Sequence, residues 1–144
     1  MSFSEIYQIA GSAMTAQTLR LNTIASNLAN ADAGSTTEAG TYRSRKPVFA
    51  TVYENSQLQA QSGSSAAAGA RVQIMDVVPV QGELTRRYEP GNPIADGDGY
   101  VFYPNVDVVS EMADMMSASR SFETSVDVLG RARSMQQGLL KLGQ

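Results

Sequence analysis

The side chains that most enzymes use for catalysis are scarce in this 144-residue sequence. It contains no histidine and no cysteine, which excludes the commonest general base, thiol nucleophiles, disulfides and thiolate metal ligands. The remaining acidic pair, Asp96 and Asp98, lies in the string Asp-Gly-Asp-Gly. This string is similar to part of a calcium-binding loop, but it lacks the closing glutamate of an EF-hand, and Asp-Gly pairs are typical of tight turns. We therefore expect a turn here, and no catalytic, cofactor or metal site.

A second group of residues that could do chemistry is basic. Arg43, Arg45 and Lys46 occupy three of four consecutive positions. Two interpretations are open, a phosphate-binding patch and the more common solvated edge with salt-bridge donors. The formal net charge of −3 gives no electrostatic support for a nucleic-acid partner. We therefore predict neither nucleic acid nor a small-molecule substrate as a ligand.

The longest regular pattern lies at the amino-terminal end, over residues 2–33. Apolar side chains recur there at alternating spacings of four and three, which predicts a helix with a continuous seam of roughly 45 Å. The predicted seam consists of Phe3, Tyr7, Ala10, Met14, Gln17, Leu21, Ile24, Leu28 and Ala31. A single seam of this length needs another helix lying along it.

The other side of this predicted helix is unusual. Between residues 2 and 31 only Glu5 and Arg20 are charged, and most other positions off the seam carry small, uncharged polar groups. A second apolar stripe consists of Ile6, Ile9, Ala13 and Ala16. From this pattern we predict that more than one partner contacts the helix, on more than one side. The alternative is a buried helix of an ordinary bundle.

The middle of the chain predicts a small, irregular β module of three or four strands. Residues 34–47 have the composition of a loop. The strand-like segments are residues 48–53, 71–78, 83–88 and 100–103. Residues 55–70 are rich in Gly, Ser and Ala and nearly uncharged, and we expect them to be flexible. So few short strands are not stable without support from the helices.

A second long helix is predicted from residue 105 or 107 onward. Its seam consists of Val108, Met112, Met115, Ser119, Phe122, Val126 and Leu129, followed by Ala132, Met135, Leu139 and Leu142. Acidic residues crowd the start and basic residues the end, which is the order that the helix dipole favours. The predicted fold is therefore mainly α with a small β insert. Residues 1–33 and 105–144 pair as a coiled coil, and residues 34–104 form the extended loop and the β module.

Two short motifs stand out within this plan. The first follows the amino-terminal seam and consists of Ser26, Asn27, Leu28, Ala29 and Asn30, with a Thr-containing loop and Tyr42-Arg43 after it. The second precedes the carboxy-terminal helix and consists of Pro104, Asn105, Val106 and Asp107, with Arg120 and Phe122 after it. The first motif resembles the signature of bacterial flagellar axial proteins, the rod and hook subunits. The second narrows the resemblance to basal-body rod subunits.

The resemblance implies a structural subunit of the proximal rod, the shaft that crosses the periplasm and transmits torque. The terminal helices would form an inner coiled-coil layer of a helical assembly, with the β module outside it. Expected partners are further copies of the chain, other rod subunits, the rod–ring junction protein, the membrane-embedded ring and the export apparatus. The resemblance also implies that the protein leaves the cytoplasm through the flagellar type III apparatus, unprocessed. Residues 1–20 lack the regions of a cleaved signal peptide, so the sequence alone indicates a cytoplasmic protein or one exported without a cleaved signal.

Other functions stay open at this point. A different rod or hook-type axial subunit would have the same mechanics at another axial position. A cytoplasmic coiled-coil adaptor would need a charged outer helix face, which the amino-terminal helix lacks. An enzyme would have to rely on acidic pairs such as Asp96 and Asp98, for which the sequence predicts no surrounding pocket.

Overall fold

The computed structural model describes residues 3–53 and 70–142. Its elements in chain order are α1 (Phe3–Ala29), β1 (Arg45–Tyr53), β2 (Ala70–Pro79), β3 (Thr85–Tyr88), β4 (Tyr100–Tyr103) and α2 (Val108–Leu142). Two long helices at the ends of the chain flank a small antiparallel β module, which confirms the predicted fold class. Apart from Ala70, the stretch predicted to be flexible, residues 55–70, lies outside the described residues.

The two helices run antiparallel and pack along each other. At one end Asn27 Nδ2 donates to Glu111 Oε1 at 3.1 Å, and at the other the Tyr7 hydroxyl donates to Gln136 Oε1 at 3.4 Å. With a rise of 1.5 Å per residue, α1 is about 40 Å long and α2 about 52 Å. These contacts are consistent with the predicted coiled-coil pairing. Neither of these two helices contains a stretch apolar and long enough to cross a bilayer.

The side of α2 that faces α1 is built from small residues at seven-residue spacing. Ala118 and Ala132 are 0% and 5% exposed, and Ser125 lies midway between them. The predicted seam included Ala132, but beside Glu111 and Ser125 it contained Met112 and Val126, one position further along, and these two side chains are 55% and 43% exposed. Small side chains let two helix backbones approach closely, so the larger residues lie outside the contact.

β1 and β2 form a long antiparallel hairpin that packs on α1. The Val72 backbone N–H donates to Ser12 Oγ at 3.2 Å, and Ala16, one turn further along α1, is buried. Strand pairing begins at Arg45, inside the segment predicted to be loop. The strand starts early because the Asn27 amide bonds both the N–H and the carbonyl of Arg45. The hairpin therefore covers a second side of α1.

β3 and β4 form a separate two-stranded sheet beside the loop that follows α1. Ser35 and Phe102 exchange backbone hydrogen bonds at 2.9 and 3.0 Å, and Val101 is fully buried. A Cβ on Gly34 would lie 2.9 Å from Val101 Cγ1, so this close approach requires glycine. The four strands of the described chain thus form two small sheets rather than one.

Candidate assembly site at the helix junction

The acidic pair forms the predicted turn. Asp96 Oδ1 accepts hydrogen bonds from the backbone N–H groups of Asp98 at 3.0 Å and Tyr100 at 2.8 Å. Gly99 closes the turn with a φ of 82°, in the left-handed region that favours glycine. The same carboxylate lies 3.7 Å from the Arg86 guanidinium. Within residues 3–53 and 70–142, no three His, Cys, Asp or Glu side chains cluster in a way that could hold a metal ion.

The predicted basic cluster is divided between different contacts. Arg43 bonds the Glu38 carboxylate at 3.1 Å and the Gly82 carbonyl at 2.8 Å. The Arg45 guanidinium lies over the Tyr42 ring, 5.5 Å from its centroid. The salt-bridge interpretation therefore describes Arg43, and the cluster does not present one continuous cationic surface.

A dense group of hydrogen bonds surrounds Asn27, which is 1% exposed near the end of α1. Its Nδ2 donates to the Arg45 carbonyl at 2.9 Å and to Glu111 Oε1 at 3.1 Å. Its Oδ1 accepts from the Arg45 N–H and from the Tyr42 hydroxyl, both at 2.9 Å. The amide has two donor and two acceptor positions, and all are used. One side chain thus joins α1, the start of β1 and the first turn of α2.

A second chain of hydrogen bonds runs from Glu111 to the end of β2. The buried Glu111 carboxylate also accepts from Ser44 Oγ at 3.3 Å. The Ser44 N–H donates to Asn105 Oδ1 at 2.9 Å, and Asn105 Nδ2 donates to the Val80 carbonyl at 3.1 Å. The residues just before α2 are therefore fixed to the residues just before β1. We call Asn27, Tyr42, Ser44, Asn105 and Glu111 the junction cluster.

Beside the junction cluster, α1 and α2 are joined by an ion pair. Arg20 Nη2 lies 2.6 Å from Asp114 Oδ1, with both side chains partly exposed. A cavity of about 350 Å³ opens next to this pair and is lined by Arg20, Ile24, Arg45, Lys46, Pro47, Phe49, Glu111 and Asp114. Its charged groups are of both signs, so the arrangement is suited to holding elements together and offers no field of one sign to a ligand.

The family-motif residues cap the helices or belong to the junction cluster. Asp107 Oδ1 accepts the Val109 N–H at 3.1 Å, which is an N-cap of α2, and Asn30 Nδ2 donates to the Ser26 carbonyl at 2.7 Å at the end of α1. The Ser26 hydroxyl lies 3.4 Å from the Tyr42 hydroxyl. The remaining motif residues are buried (Pro104), half-buried (Leu28, Val106) or exposed (Ala29, Arg120).

The predicted seam residues occupy different environments. On α1, Ala10 and Ile24 are buried, Phe3, Met14, Leu21 and Leu28 are half-buried, and Tyr7 is exposed. On α2, Met115, Phe122 and Leu129 are half-buried, whereas Met112 and Val126 are exposed. The contacts of these residues with a neighbouring subunit stay a prediction.

The second predicted stripe on α1 is divided between two surroundings. Ala16 is buried on the side of the hairpin. Ile6, Ile9 and Ala13 line an open groove of about 260 Å³ together with Ala10, Thr124, Ser125 and Val128. This groove lies between α1 and α2 and is almost wholly apolar. It leaves Ile9 37% exposed.

Hydrogen bonds also hold the small sheet of β3 and β4 together from within. The Tyr103 hydroxyl donates to the Glu89 carboxylate at 3.1 Å, and burial, together with this hydrogen bond, raises the pKa of Tyr103. The Arg86 guanidinium lies 4.2 Å from the centroid of the Tyr100 ring. The charged groups of Glu89 and Arg86 therefore contact the aromatic residues Tyr103 and Tyr100 of the same small sheet.

Sequence reasoning placed Asn27, Tyr42 and Asn105 in the two family motifs, but it missed Ser44 and Glu111 of the junction cluster. It assigned Glu111 and Asp114 only to the favourable charge order of α2, and it gave Ser44 no role. A signal was present in the seven-residue spacing, because Glu111 falls on the same repeat as Ala118 and Ala132. A charged residue on an otherwise small, buried stripe indicates a buried polar partner.

Comparison with known proteins agrees with this architecture. A model described as "Flagella basal body rod protein" matches residues 8–35, and one described as "Flagellar basal body rod FlgEFG protein C-terminal" matches residues 98–142. The chain is 46% identical to the flagellar basal-body rod protein FlgC of Escherichia coli O6:H1 over 144 residues, and 44% identical to that of Salmonella typhimurium, with both chains of each pair fully covered. The chain belongs to the FlgC family. The FlgC protein of Borreliella burgdorferi is 34% identical over 149 residues, covering 99% of this chain and 97% of its own.

The two segments matched by the flagellar rod models meet at the junction cluster. Asn27 lies in the first matched segment, and Asn105 and Glu111 lie in the second. Tyr42 and Ser44 come from the segment between the two matches. The geometry can therefore hold the terminal helices of a FlgC-family chain together at one end, while α2 presents apolar side chains outward.

Proposed function

We propose that this chain is a non-enzymatic structural subunit of the flagellar basal-body rod, which assembles by helix packing. The observation that carries the proposal is the apolar surface of α2. Large apolar side chains are exposed along the helix: Val108, Val109, Met112, Met116, Val126, Val128, Met135, Leu139 and Leu140. So many exposed large apolar side chains on one helix are typical of protein–protein contact sites.

More specifically, we assign the chain to the proximal rod, the part of the shaft in the periplasm that transmits torque. Under this proposal the subunit reaches the periplasm through the type III export apparatus without losing a signal peptide. Its neighbours there are other rod subunits, the rod–ring junction protein and the membrane-embedded ring. Membership of the FlgC family supports this assignment, and so does the presence of unlike apolar faces on one chain. A helical assembly needs such heterologous contacts, in which one face meets a different face of the next subunit.

The groove between Ile9 and Val128 is proposed as one of these faces. Ile9→Asp places a charge at the groove surface, and we expect incorporation into basal bodies to fall strongly while secretion into the medium stays near normal. Immunoblots of purified basal bodies and of culture supernatants measure the two quantities. The matched control is Gln8→Asp, which puts the same charge on an exposed neighbouring position. Normal incorporation of the Ile9→Asp protein would show that the groove is not an interface.

A second candidate function is that of another rod or hook-type axial subunit. It is favoured by one observation, the match of residues 98–142 to a model described for FlgEFG proteins. The two candidates differ in which deletion strain the gene restores to motility. Rescue of a strain lacking the FlgC-type subunit, with no rescue of strains lacking the other subunits, supports the first. The opposite pattern supports the second.

The direct test is to insert a small epitope tag between residues 62 and 69 and to probe detergent-resistant basal bodies. Under the proposal the tag is found in that fraction and disappears when other rod subunits are deleted. A tag found only in the soluble cytoplasm, in cells whose motility is unaffected by loss of the protein, would leave a helical adaptor and overturn the proposal.

A further inference from the structure

The face that α2 turns toward α1 is nearly the same after every seven residues. One line of this face is Glu111, Ala118, Ser125 and Ala132, and a parallel line is Met115, Phe122 and Leu129. Apart from Glu111, the first line contains only small side chains and the second only large apolar ones. Such a surface packs almost equally well when it is moved by one repeat.

A movement of one repeat along α2 corresponds to about 10.5 Å at 1.5 Å per residue. In the structure Ala13 and Ser125 line the same groove. After a movement of one repeat, Ala132 would take the place of Ser125, so an alanine would replace a serine opposite Ala13. The small and apolar contacts along this part of the helix pair therefore distinguish poorly between the two registers.

The polar contacts at the junction distinguish strongly between them. In the moved register Ala118 would lie against Asn27 in place of Glu111, and Ser121 would lie near Arg20 in place of Asp114. Asn27 is almost fully buried, so its Nδ2 group would keep only the Arg45 carbonyl as a partner. A buried polar group that loses its partner is costly, whereas the apolar contacts would change little.

We propose that Glu111 and Asp114, through Asn27 and Arg20, are the residues that fix the register of α1 against α2. They act as positioning residues, comparable in effect to a single buried polar residue that sets the register of a coiled coil. Asn105 supports them, because its hydrogen bonds to Ser44 and Val80 hold the start of α2 in place. This role concerns the fold itself and does not depend on the assembly proposed above.

Disulfide trapping can read the register directly, since the chain contains no cysteine. Ala13→Cys is combined with Ser125→Cys to report the observed register and with Ala132→Cys to report the moved one. Ala13→Cys with Ala118→Cys serves as the background pair. Non-reducing gels of the purified full-length chain separate the intramolecular disulfide from any dimer. In the parent sequence we expect the 13–125 pair to form at least about tenfold more disulfide than the 13–132 pair.

The decisive variant is Glu111→Ala with Asp114→Ser, which makes these positions match Ala118 and Ser121 one repeat later. We expect the preference for the 13–125 pair to fall severalfold, and adding Asn105→Ala to lower it further. Glu111→Gln with Asp114→Asn keeps the hydrogen-bond acceptors and should retain most of the preference. The matched control, Glu123→Ala with Asp127→Ser, removes two exposed acidic groups of α2 and should leave the preference unchanged.

Three results would overturn the proposal. The first is an unchanged preference in the variant that also carries Asn105→Ala. The second is an equal loss of preference in the Glu123 and Asp127 control. The third is a Glu111 and Asp114 variant in which all three cysteine pairs react weakly and helical circular dichroism is lost, because the cluster would then hold the fold as a whole rather than its register.

Discussion

The two long helices have similar periodicity but opposite surroundings. α1 packs against α2 on one side and against the β1–β2 hairpin on another, and Tyr7 and Ile9 are its exposed large apolar residues within the described chain. α2 packs extensively only against α1 among the described elements. Its exposed side chains include Val109 and Leu140, at 77% and 68%. The fold of this chain thus covers α1 on two sides and α2 on one.

This difference leaves more uncovered apolar surface on the second helix than on the first. The sequence pattern of α1 predicts contacts on more than one side, and in the structure one of these contacts is the hairpin of the same chain. The Val72 N–H to Ser12 hydrogen bond and the buried Ala16 mark that contact. No second element covers α2 in this way among the described residues, and under the proposed function its exposed side would be the surface whose burial by a neighbouring subunit gains most.

The largest expected effect is the contrast between two variants, one with an aspartate on α1 and one with an aspartate on α2. Ala16→Asp buries a carboxylate under the hairpin and should lower the free energy of unfolding by about 3 kcal/mol or more. Met116→Asp, on the exposed side of α2, should change it by no more than about 0.5 kcal/mol and yet prevent incorporation into basal bodies. Urea denaturation of the purified chain and immunoblots of basal bodies measure the two quantities.

Matched serine variants separate charge from side-chain loss in this pair. Ala16→Ser adds one hydroxyl, and Met116→Ser shortens a side chain that is largely exposed. Neither adds a charge, so both should stay close to the parent in unfolding free energy. If Ala16→Asp and Met116→Asp lowered the unfolding free energy equally, the difference between the two helices would be contradicted. Met116 would then be as buried as Ala16.

An intermediate effect is expected at Asn27, which contacts both helices and the start of β1. Asn27→Ala removes one hydrogen-bond partner each from the Tyr42 hydroxyl, the Arg45 N–H, the Arg45 carbonyl and the Glu111 carboxylate, and should cost about 2–3 kcal/mol of unfolding free energy. Asn22→Ala, on the exposed part of α1, is the control and should cost less than about 1 kcal/mol. A mild Asn27→Ala phenotype would show that the apolar contacts alone hold the helices together.

The smallest effect belongs to the partly exposed ion pair. Asp114→Asn removes the charge opposite Arg20 and should cost about 0.5 kcal/mol at low salt, because such pairs are screened by solvent. The cost should shrink further at high ionic strength. Glu123→Gln on the outer side of α2 is the control. A cost that does not respond to salt would mean that Asp114 acts through its hydrogen bond rather than its charge.

The sequence was sufficient to predict the two helices, but it was not sufficient to predict which side of α2 faces α1. The spacing of Phe3, Ala10 and Ile24 predicts α1, and the pattern around Phe122 predicts α2. Two stripes on α2 share Met115, Phe122 and Leu129, and periodicity cannot distinguish the stripe completed by Met112 from the one completed by Ala118. In the structure the smaller residues face α1 because they let the two helices pack closely. A search for apolar side chains favours Met112 over Ala118 and therefore chooses the wrong stripe.

The pairing within the junction cluster could not be predicted for a different reason. The partners of Asn27 lie 15, 18 and 84 residues away along the chain, at Tyr42, Arg45 and Glu111. The seven-residue spacing indicates that Glu111 has a buried polar partner, but residue types and local spacing do not indicate which residue that partner is. Turn chemistry is local, and the prediction at Asp96 was therefore confirmed.

The antiparallel pairing of the two ends also determines when the chain can complete its fold. Tyr7 and Gln136 are separated by 129 residues and Asn27 and Glu111 by 84. Contacts between residues so far apart form only after a large loss of chain entropy, so they form late compared with helix turns and hairpins. A chain emerging from its amino terminus has α1 and the β1–β2 hairpin available first. Until residues 108–142 are free, α1 has no α2 to pair with, so the helix pair forms only after α2 has emerged.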